Sequence, residues 1–486
     1  MKNLKTTFNT SSYTTEQFTS SWFYLSNQTR TPCWGEISID DSSVVCTSTD
    51  KKIALHILLE VPNFGKVMVK TSIVEAGKKY DLLSCIIEGR VEQINEFLLQ
   101  RKINKTSIYH KELKEILKVK EKNKKIHLLF KLGEEMVINE SERILSEKIK
   151  NKEMKKFLLG AQAFGIKKGP KYKKIHKENF DLGIAPFYLF LLKPESQKET
   201  DWTLSDDIVN WLVSTNRPIK AHPLMWLHQA AIPEWMKTLT FPELKAFLRT
   251  HITEVVERYK DKIHMWDIVN EIPTADANFF NLNMQQLIEI TKMTSDIVHR
   301  IAPDAERIVN ISDIFGPKSY IHDSPSIPPI YFLKLLDQEK IEYESIGIQF
   351  YMGMRKEFAC RELLDLCNLI DEYAEFGKPL HFSELGWPSK HDVDPTCFFA
   401  ADHPEVAGRW HSAWSESVQA EFLKKTYTLF ASYKNSKSIT WWDITDNGTH
   451  KDIGSRFIPF SGLTRRDYSA KPALLEIQKF RKKVHK

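Results

Sequence analysis

Past residue 155 the chain repeats one pattern. A short apolar run is followed by a stretch whose apolar residues recur every three or four positions. The apolar runs lie at 157–165, 180–190, 219–227, 263–271, 307–312, 345–351, 379–387 and 438–446. The intervening stretches 241–261, 284–302 and 360–377 carry helical periodicity. The last of these closes on Gly377 with Pro379 just beyond, as a helix end would. Strands alternating with helices predict a parallel sheet with helical crossovers. Eight such units in about 330 residues fit a (β/α)8 barrel. An open, doubly wound sheet would need a glycine-rich phosphate loop, and no such pattern follows any of the runs.

The first part of the chain reads differently. Residues 1–80 hold β-like runs such as GEISID, SSVVCTS and KVMVKTSIV between polar turns, and residues 80–102 and 109–149 space their apolar positions as helices do. Residues 144–156 read as a helical connector. The expected organisation is an N-terminal module of mixed β and helix over 1–155, without a catalytic motif, and an α/β (β/α)8 barrel over 156–486.

Composition changes this picture little. The 486 residues are 42% apolar and 27% charged, and the net charge of +6 is spread among 63 acidic residues, so no nucleic-acid partner is expected. The basic run Lys167 to Lys177 reads as a solvated face. No run approaches the 18 apolar residues of a membrane span. The opening residues lack an apolar stretch of signal-peptide length. A cytoplasmic protein, or one exported without a classical signal, is therefore expected. The six cysteines form no CxxC pair and no zinc spacing. Free thiols fit best, with a disulfide left open, and no metal or cofactor is expected.

The chemistry sits where the apolar runs end. In a (β/α)8 barrel, side chains at the C-terminal ends of strands build the active site. Glu271 closes the fourth run and Glu384 the seventh. His222 and Trp226 lie near the end of the third. Gln349 and Tyr351 end the sixth, and Trp441, Trp442 and Asp446 the eighth. A buried glutamate costs several kcal/mol unless paired or neutralised, so its place at the end of HMWDIVNE calls for a reason. Two carboxylates on facing walls suit glycosidic bond cleavage, one donating a proton and one attacking. Indoles suit pyranose faces, and amides and imidazoles suit hydroxyls.

At these residues the chain resembles glycoside hydrolase family 10, the (β/α)8 endo-β-xylanases. WDIVNE (266–271) is similar to the family's Trp-Asp-Val-Val-Asn-Glu, and HFSELGW (381–387) to its nucleophile strand. HPLMWLHQAAIPEWM (222–236), IGIQFY (346–351), ITWWDITD (439–446) and GLTRRDYSAKPAL (462–474) resemble further family segments. The resemblance implies Glu271 as acid/base and Glu384 as nucleophile of a retaining mechanism. It further implies that Asn270 holds the sugar's 2-hydroxyl, that Gln349 and Tyr351 steady Glu384, and that Trp226, Trp442 and His222 contact the glycone. The expected partner is a β-linked polysaccharide or oligosaccharide.

The departures concern sugar recognition. Phe187, Tyr188 and Leu191 stand where the family carries Glu, Asn and Lys. Leu227 follows Trp226 in place of a histidine, unless His228 serves by a shift of one. Tyr351 replaces the histidine that orients the nucleophile, Asp443 replaces a glycine, and His450 replaces a second tryptophan. These changes leave two further readings beside the xylanase-like one. One is a hydrolase of a different β-glycan, reached past an apolar patch of Phe187, Tyr188 and Leu191. The other is a barrel that binds glycan without cleaving it.

Overall fold

The computed structural model describes residues 3–10, 23–40, 42–316, 327–353, 355–393, 404–446 and 460–485. All eight expected strands form, at Leu158–Gln162, Leu182–Pro186, Ile219–His222, Met265–Asn270, Glu306–Ile311, Ser345–Tyr351, Leu380–Gly386 and Ser436–Trp441. They pair in parallel in chain order and close into a barrel, the first strand meeting the eighth at Leu158↔Ser438. Most are buried along their whole length, which is why they read as continuous apolar runs rather than as alternating ones.

The crossover helices start where local chemistry allows. Phe241–Tyr259 opens on a capping box of Thr240 and Glu243, and Met284–Ile301 on one of Asn283 and Gln286. Each box satisfies two backbone N–H groups that the first helical turn leaves unpaired. Leu363–Ala374 ends three residues before Gly377, which takes φ +68° in the turn that follows.

Among the described residues ahead of the barrel lie two sheets and three α-helices. One sheet orders Glu36–Asp40, Ser43–Ser48, Leu4–Asn9 and Lys79–Asp81. The other is built on Phe23–Asn27, Lys52–Val61 and Gly65–Lys70, with Pro32–Cys33 at one edge and, at the other, Arg409–Trp410, which comes from the segment after the seventh barrel strand. Helices Leu82–Gln100 and Lys122–Lys150 pack on barrel helices Leu363–Ala374 and Glu416–Ser432.

Charged groups are buried at this junction. Arg90 donates to both carboxylate oxygens of Glu362 at 2.5 and 3.1 Å, and both side chains are 1% exposed. A Cβ on Gly133 would fall 2.4 Å from the Arg90 guanidinium, so the helix needs glycine there. The Lys148 ammonium donates to the carbonyls of Ala431 and Tyr433, and burial lowers its pKa to about 8. The module also reaches the loops at the catalytic end of the barrel. Tyr24 Oη accepts from Arg361, whose guanidinium lies 3.7 Å from the Phe315 ring, and Met68 N–H donates to the Cys360 carbonyl.

The five described cysteines are free, and Cys397 lies outside the described residues. Among the described residues no helix is long and apolar enough to cross a membrane.

Candidate active site

Glu384 sits inside the seventh strand, 4% exposed. Its Oε1 accepts from Asn310 Nδ2 at 2.9 Å and its Oε2 from Tyr351 Oη at 2.7 Å. His222 Nε2 is 3.7 Å from Oε1. Each oxygen therefore has a fixed donor, and the two donors together orient the carboxylate. Burial and the charge of Glu384 raise the Tyr351 pKa well above the ordinary value, so the phenol remains a proton donor.

Glu271 follows the fourth strand and takes φ +57°. A non-glycine residue in the left-handed region carries about 1–3 kcal/mol of strain and persists only where its surroundings hold it. Here the Glu271 N–H donates to the Asn310 carbonyl, and its own carbonyl accepts from the Thr274 N–H and hydroxyl. The strained turn carries the side chain to the barrel mouth, where Oε2 accepts from Trp226 Nε1 at 3.0 Å.

Asn310, on the fifth strand, links the two glutamates. Its amide nitrogen donates to Asn270 Oδ1 at 2.7 Å as well as to Glu384, its Oδ1 accepts from Ser383 Oγ at 2.5 Å, and its backbone carbonyl holds Glu271. A Cβ at Gly347 would fall 2.4 Å from Asn310 Oδ1, so the sixth strand needs glycine beside it. The sequence reading missed Asn310. Its signal was a polar amide among the apolar residues Ile308, Val309 and Ile311, which has to find partners when buried.

Asp267 anchors the floor. Its Oδ2 lies 2.8 Å from both Lys220 Nζ and His222 Nδ1. Burial alone would raise the Asp267 pKa, but Lys220 and His222 together bring it below the usual carboxylate value. The imidazole of His222 is thereby aligned toward Glu384.

Several expected placements differ. Gln349 donates to Asn270 Oδ1 at 3.1 Å rather than to Glu384; its register partner across the strands is Glu384, but the amide turns to the other neighbour. Asn270 thus has its oxygen occupied twice, and its amide nitrogen is the group left for a ligand. Trp226 serves as a donor to Glu271, with the His228 ring stacked on it at 5.0 Å. Trp442 is 7% exposed, edge-on to His222 at 5.1 Å and to Phe164 at 5.7 Å. Trp441 is not at the mouth: it is fully buried against Trp387 and donates to the Ser461 carbonyl. Asp446 is tied to Lys471 and to the Gly462 N–H. Phe187 is not in the cleft either, but in the core against Tyr259 and Trp266. Of the expected apolar patch, Tyr188 and the partly buried Leu191 remain beside the site. His450 lies outside the described residues.

The sequence model of glycosyl hydrolase family 10 matches residues 190–479, more than half of the chain. The chain belongs to glycosyl hydrolase family 10. It is a glycoside hydrolase. Among relatives, it is 24% identical over 352 residues to a beta-1,4-xylanase of Dictyoglomus thermophilum, covering 64% of this chain and 91% of that protein. It is 26% identical over 348 residues to endo-1,4-beta-xylanase A of Xylanibacter ruminicola, covering 64% and 86%. The solved family 10 structure from Paenibacillus barcinonensis superposes with a TM-score of 0.52 at 20% identity, over 68% of this chain and 97% of that one. The endo-1,4-beta-xylanase structure from Caldicellulosiruptor owensensis gives 0.52 at 19%, over 67% and 98%. These structural likenesses show the shared barrel.

Proposed function

We propose that this family 10 glycoside hydrolase cleaves β-1,4-linked glycan chains of the xylan type, internally and with retention of configuration. The observation that carries the reading is the pair of differently held glutamates: Glu384 fixed by two donors, Glu271 presented by a strained turn. In the first step Glu384 attacks the anomeric carbon. The glycosidic C–O bond breaks, and Glu271 gives its proton to the departing oxygen. In the second step Glu271 takes a proton from water, the water oxygen attacks the glycosyl–Glu384 ester, and Glu384 leaves as carboxylate. Retention requires the two carboxyl groups to be about 5–5.5 Å apart when substrate is bound.

Asn270 presents its free amide nitrogen to a sugar hydroxyl. Trp442 offers an indole beside the reacting sugar, and His222, aligned by Asp267, supports Glu384. Xylan as substrate rests on the names of the relatives. Hydrolysis of aryl β-xylobiosides and β-cellobiosides tests the reading. Turnover is expected in the parent protein and absent after Glu271→Ala or Glu384→Ala. Glycan binding without turnover in the parent would instead favour a non-catalytic barrel.

For residues 1–155 we infer a bracing role. The shared sheet edge, the Arg90–Glu362 pair and the Lys148 contacts tie this part to the barrel and to its catalytic loops. One cooperative calorimetric unfolding transition is expected, and two separate transitions would contradict it.

A further inference from the structure

The net charge of +6 is not evenly placed along the chain. Residues 102–125 hold nine lysines and three glutamates, so this segment carries all of it and the rest of the chain is neutral. The segment runs from just past helix Leu82–Gln100, through helix Ile108–Lys118, into the start of helix Lys122–Lys150. Eight of the nine lysines are exposed and Lys125 is half-buried. Among the described residues, only Lys118 and Lys122 of the nine have ion-pair partners, in Glu115 and Asp81. Helix Ile108–Lys118 turns Leu113 and Ile116 inward against helix Lys122–Lys150, and its Lys111, Lys114 and Lys118 fall on the opposite side. Like charges three and four residues apart repel along a helix, so this stripe costs helix stability until an anion lies on it.

The stripe leads to the catalytic end of the molecule. A barrel helix starts at that end, just after the loop that follows its strand. Glu362 caps the start of barrel helix Leu363–Ala374, and Arg90 donates both to Glu362 and to the Phe130 carbonyl. Lys148, further along the helix that holds Phe130, meets the far end of barrel helix Glu416–Ser432. Helix Lys122–Lys150 therefore runs away from the catalytic end, and its first residues reach about 12 Å past Phe130 on that side. The barrel mouth itself repels a chain bearing carboxylates: Glu271 and Glu384 line it, and Lys220 beneath them is committed to Asp267. The lysine stripe attracts such a chain to the same end.

Lipid and nucleic acid fit this surface less well. Ile108 and Leu117 are exposed, but nine positions apart they stand on opposite sides of their helix and form no apolar face to insert. Tyr109 is the segment's one phenol or indole, and it is half-buried with its hydroxyl accepting from Asn139, so bases find no stacking platform. The cations are all lysines, compact charges on flexible stems that suit carboxylates at irregular spacing.

We propose that the lysine face of helix Ile108–Lys118 and of the start of helix Lys122–Lys150 is an interaction surface for an acidic glycan, a β-1,4-linked chain bearing uronic-acid carboxylates, which it gathers at the catalytic end of the barrel. This rests on the glycosidase reading above and names the class of chain the enzyme draws in.

The test compares the parent with a variant carrying Lys111→Gln, Lys114→Gln, Lys120→Gln and Lys124→Gln, four exposed lysines outside the active site. Affinity electrophoresis reads binding in gels that contain glucuronic-acid-substituted xylan, or the same xylan after its carboxyl groups are reduced to alcohols. At low salt the parent is expected to bind the acidic xylan about tenfold more tightly than the reduced one. That preference is expected to vanish in about 0.5 M NaCl, where screening shortens the reach of exposed charges. The variant is expected to lose most of the preference. Turnover of an aryl β-xylobioside, which carries no carboxylate, is expected to be the same in both proteins. A variant that keeps the parent's preference overturns the inference, as does a parent that binds reduced xylan as tightly as acidic xylan. Tight binding to duplex DNA or to phosphatidylserine vesicles, with none to acidic xylan, overturns the assigned partner. Binding is read without turnover. A parent that shows the preference but cleaves nothing overturns the glycosidase reading and upholds the surface.

Discussion

Replacing Asn310 probes how the two glutamates are coupled. In Asn310→Ala, Glu384 Oε1 loses its 2.9 Å donor, Asn270 Oδ1 keeps only Gln349, and the Ser383 hydroxyl loses its acceptor. A hydrogen bond to a charged group contributes about 1.5–3 kcal/mol. The expected fall in kcat/KM is therefore about 10- to 100-fold, since about 1.4 kcal/mol corresponds to tenfold. Asn310→Asp has nearly the same shape but the opposite effect on charge. It sets a second carboxylate in hydrogen-bond range of Glu384. Two like charges about 4 Å apart repel by about 4 kcal/mol at an effective dielectric of 20. That corresponds to about 3 pH units, so the pair shares a proton near neutrality. The acid limb of kcat/KM against pH is expected to move upward by about 2–3 units in Asn310→Asp, while Asn310→Ala lowers the whole profile. Steady-state kinetics on an aryl β-xylobioside from pH 4 to 9 reads both. Turnover of Asn310→Ala within twofold of the parent, or an unmoved acid limb in Asn310→Asp, would refute the coupling.

Tyr351→Phe removes the 2.7 Å donor to Glu384 Oε2 and is expected to lower kcat about tenfold with little change in unfolding free energy; an unchanged kcat counts against the phenol's role. Arg90→Met strands Glu362 without its ion-pair partner in the junction and is expected to cost about 3–5 kcal/mol in urea unfolding; a cost below about 1 kcal/mol would contradict a tight junction. Glu306 opens the fifth strand, where burial would raise its pKa but bonds from His381 of the seventh strand and Ser345 of the sixth bring it down to about 2. The folded value lies below the unfolded one of about 4.5, so this group contributes about 3 kcal/mol at higher pH, lost as pH falls from about 4.5 to about 2. Glu306→Gln is expected to flatten stability in that window, and an unaltered acid-unfolding curve would count against it.

The barrel was legible because most of its strands are buried along their whole length and several end on a residue out of keeping with the run. Glu271 and Glu384 stood out for that reason, as did His222 and Gln349. Strand alternation was the part left unread. Successive side chains point to opposite faces, so Trp441 and Trp442 cannot both face the mouth, and the same holds for Phe187 and Tyr188. Trp441 and Phe187 accordingly pack outward against Trp387 and Tyr259. Gln349 sits where it was expected, but the choice of its amide between Asn270 and Glu384 depends on Asn310, a residue 39 positions earlier in the chain. Such networks belong to the folded assembly rather than to any one segment. The tie between residues 1–155 and the barrel is of the same kind. Nothing local marks Arg409–Trp410 as an edge strand of a sheet begun more than 300 residues before.

The central claim is that Glu384 forms the bond to sugar. Incubation with a 2-deoxy-2-fluoro-β-xylobioside bearing a good leaving group slows the second step and lets the glycosyl-enzyme accumulate. Peptide mass spectrometry is then expected to find one fluoroxylobiosyl group on Glu384, in the peptide containing HFSELGW, with loss of activity in proportion to labelling. Stoichiometric labelling of a different carboxylate, with Glu384 unmodified, would contradict the account.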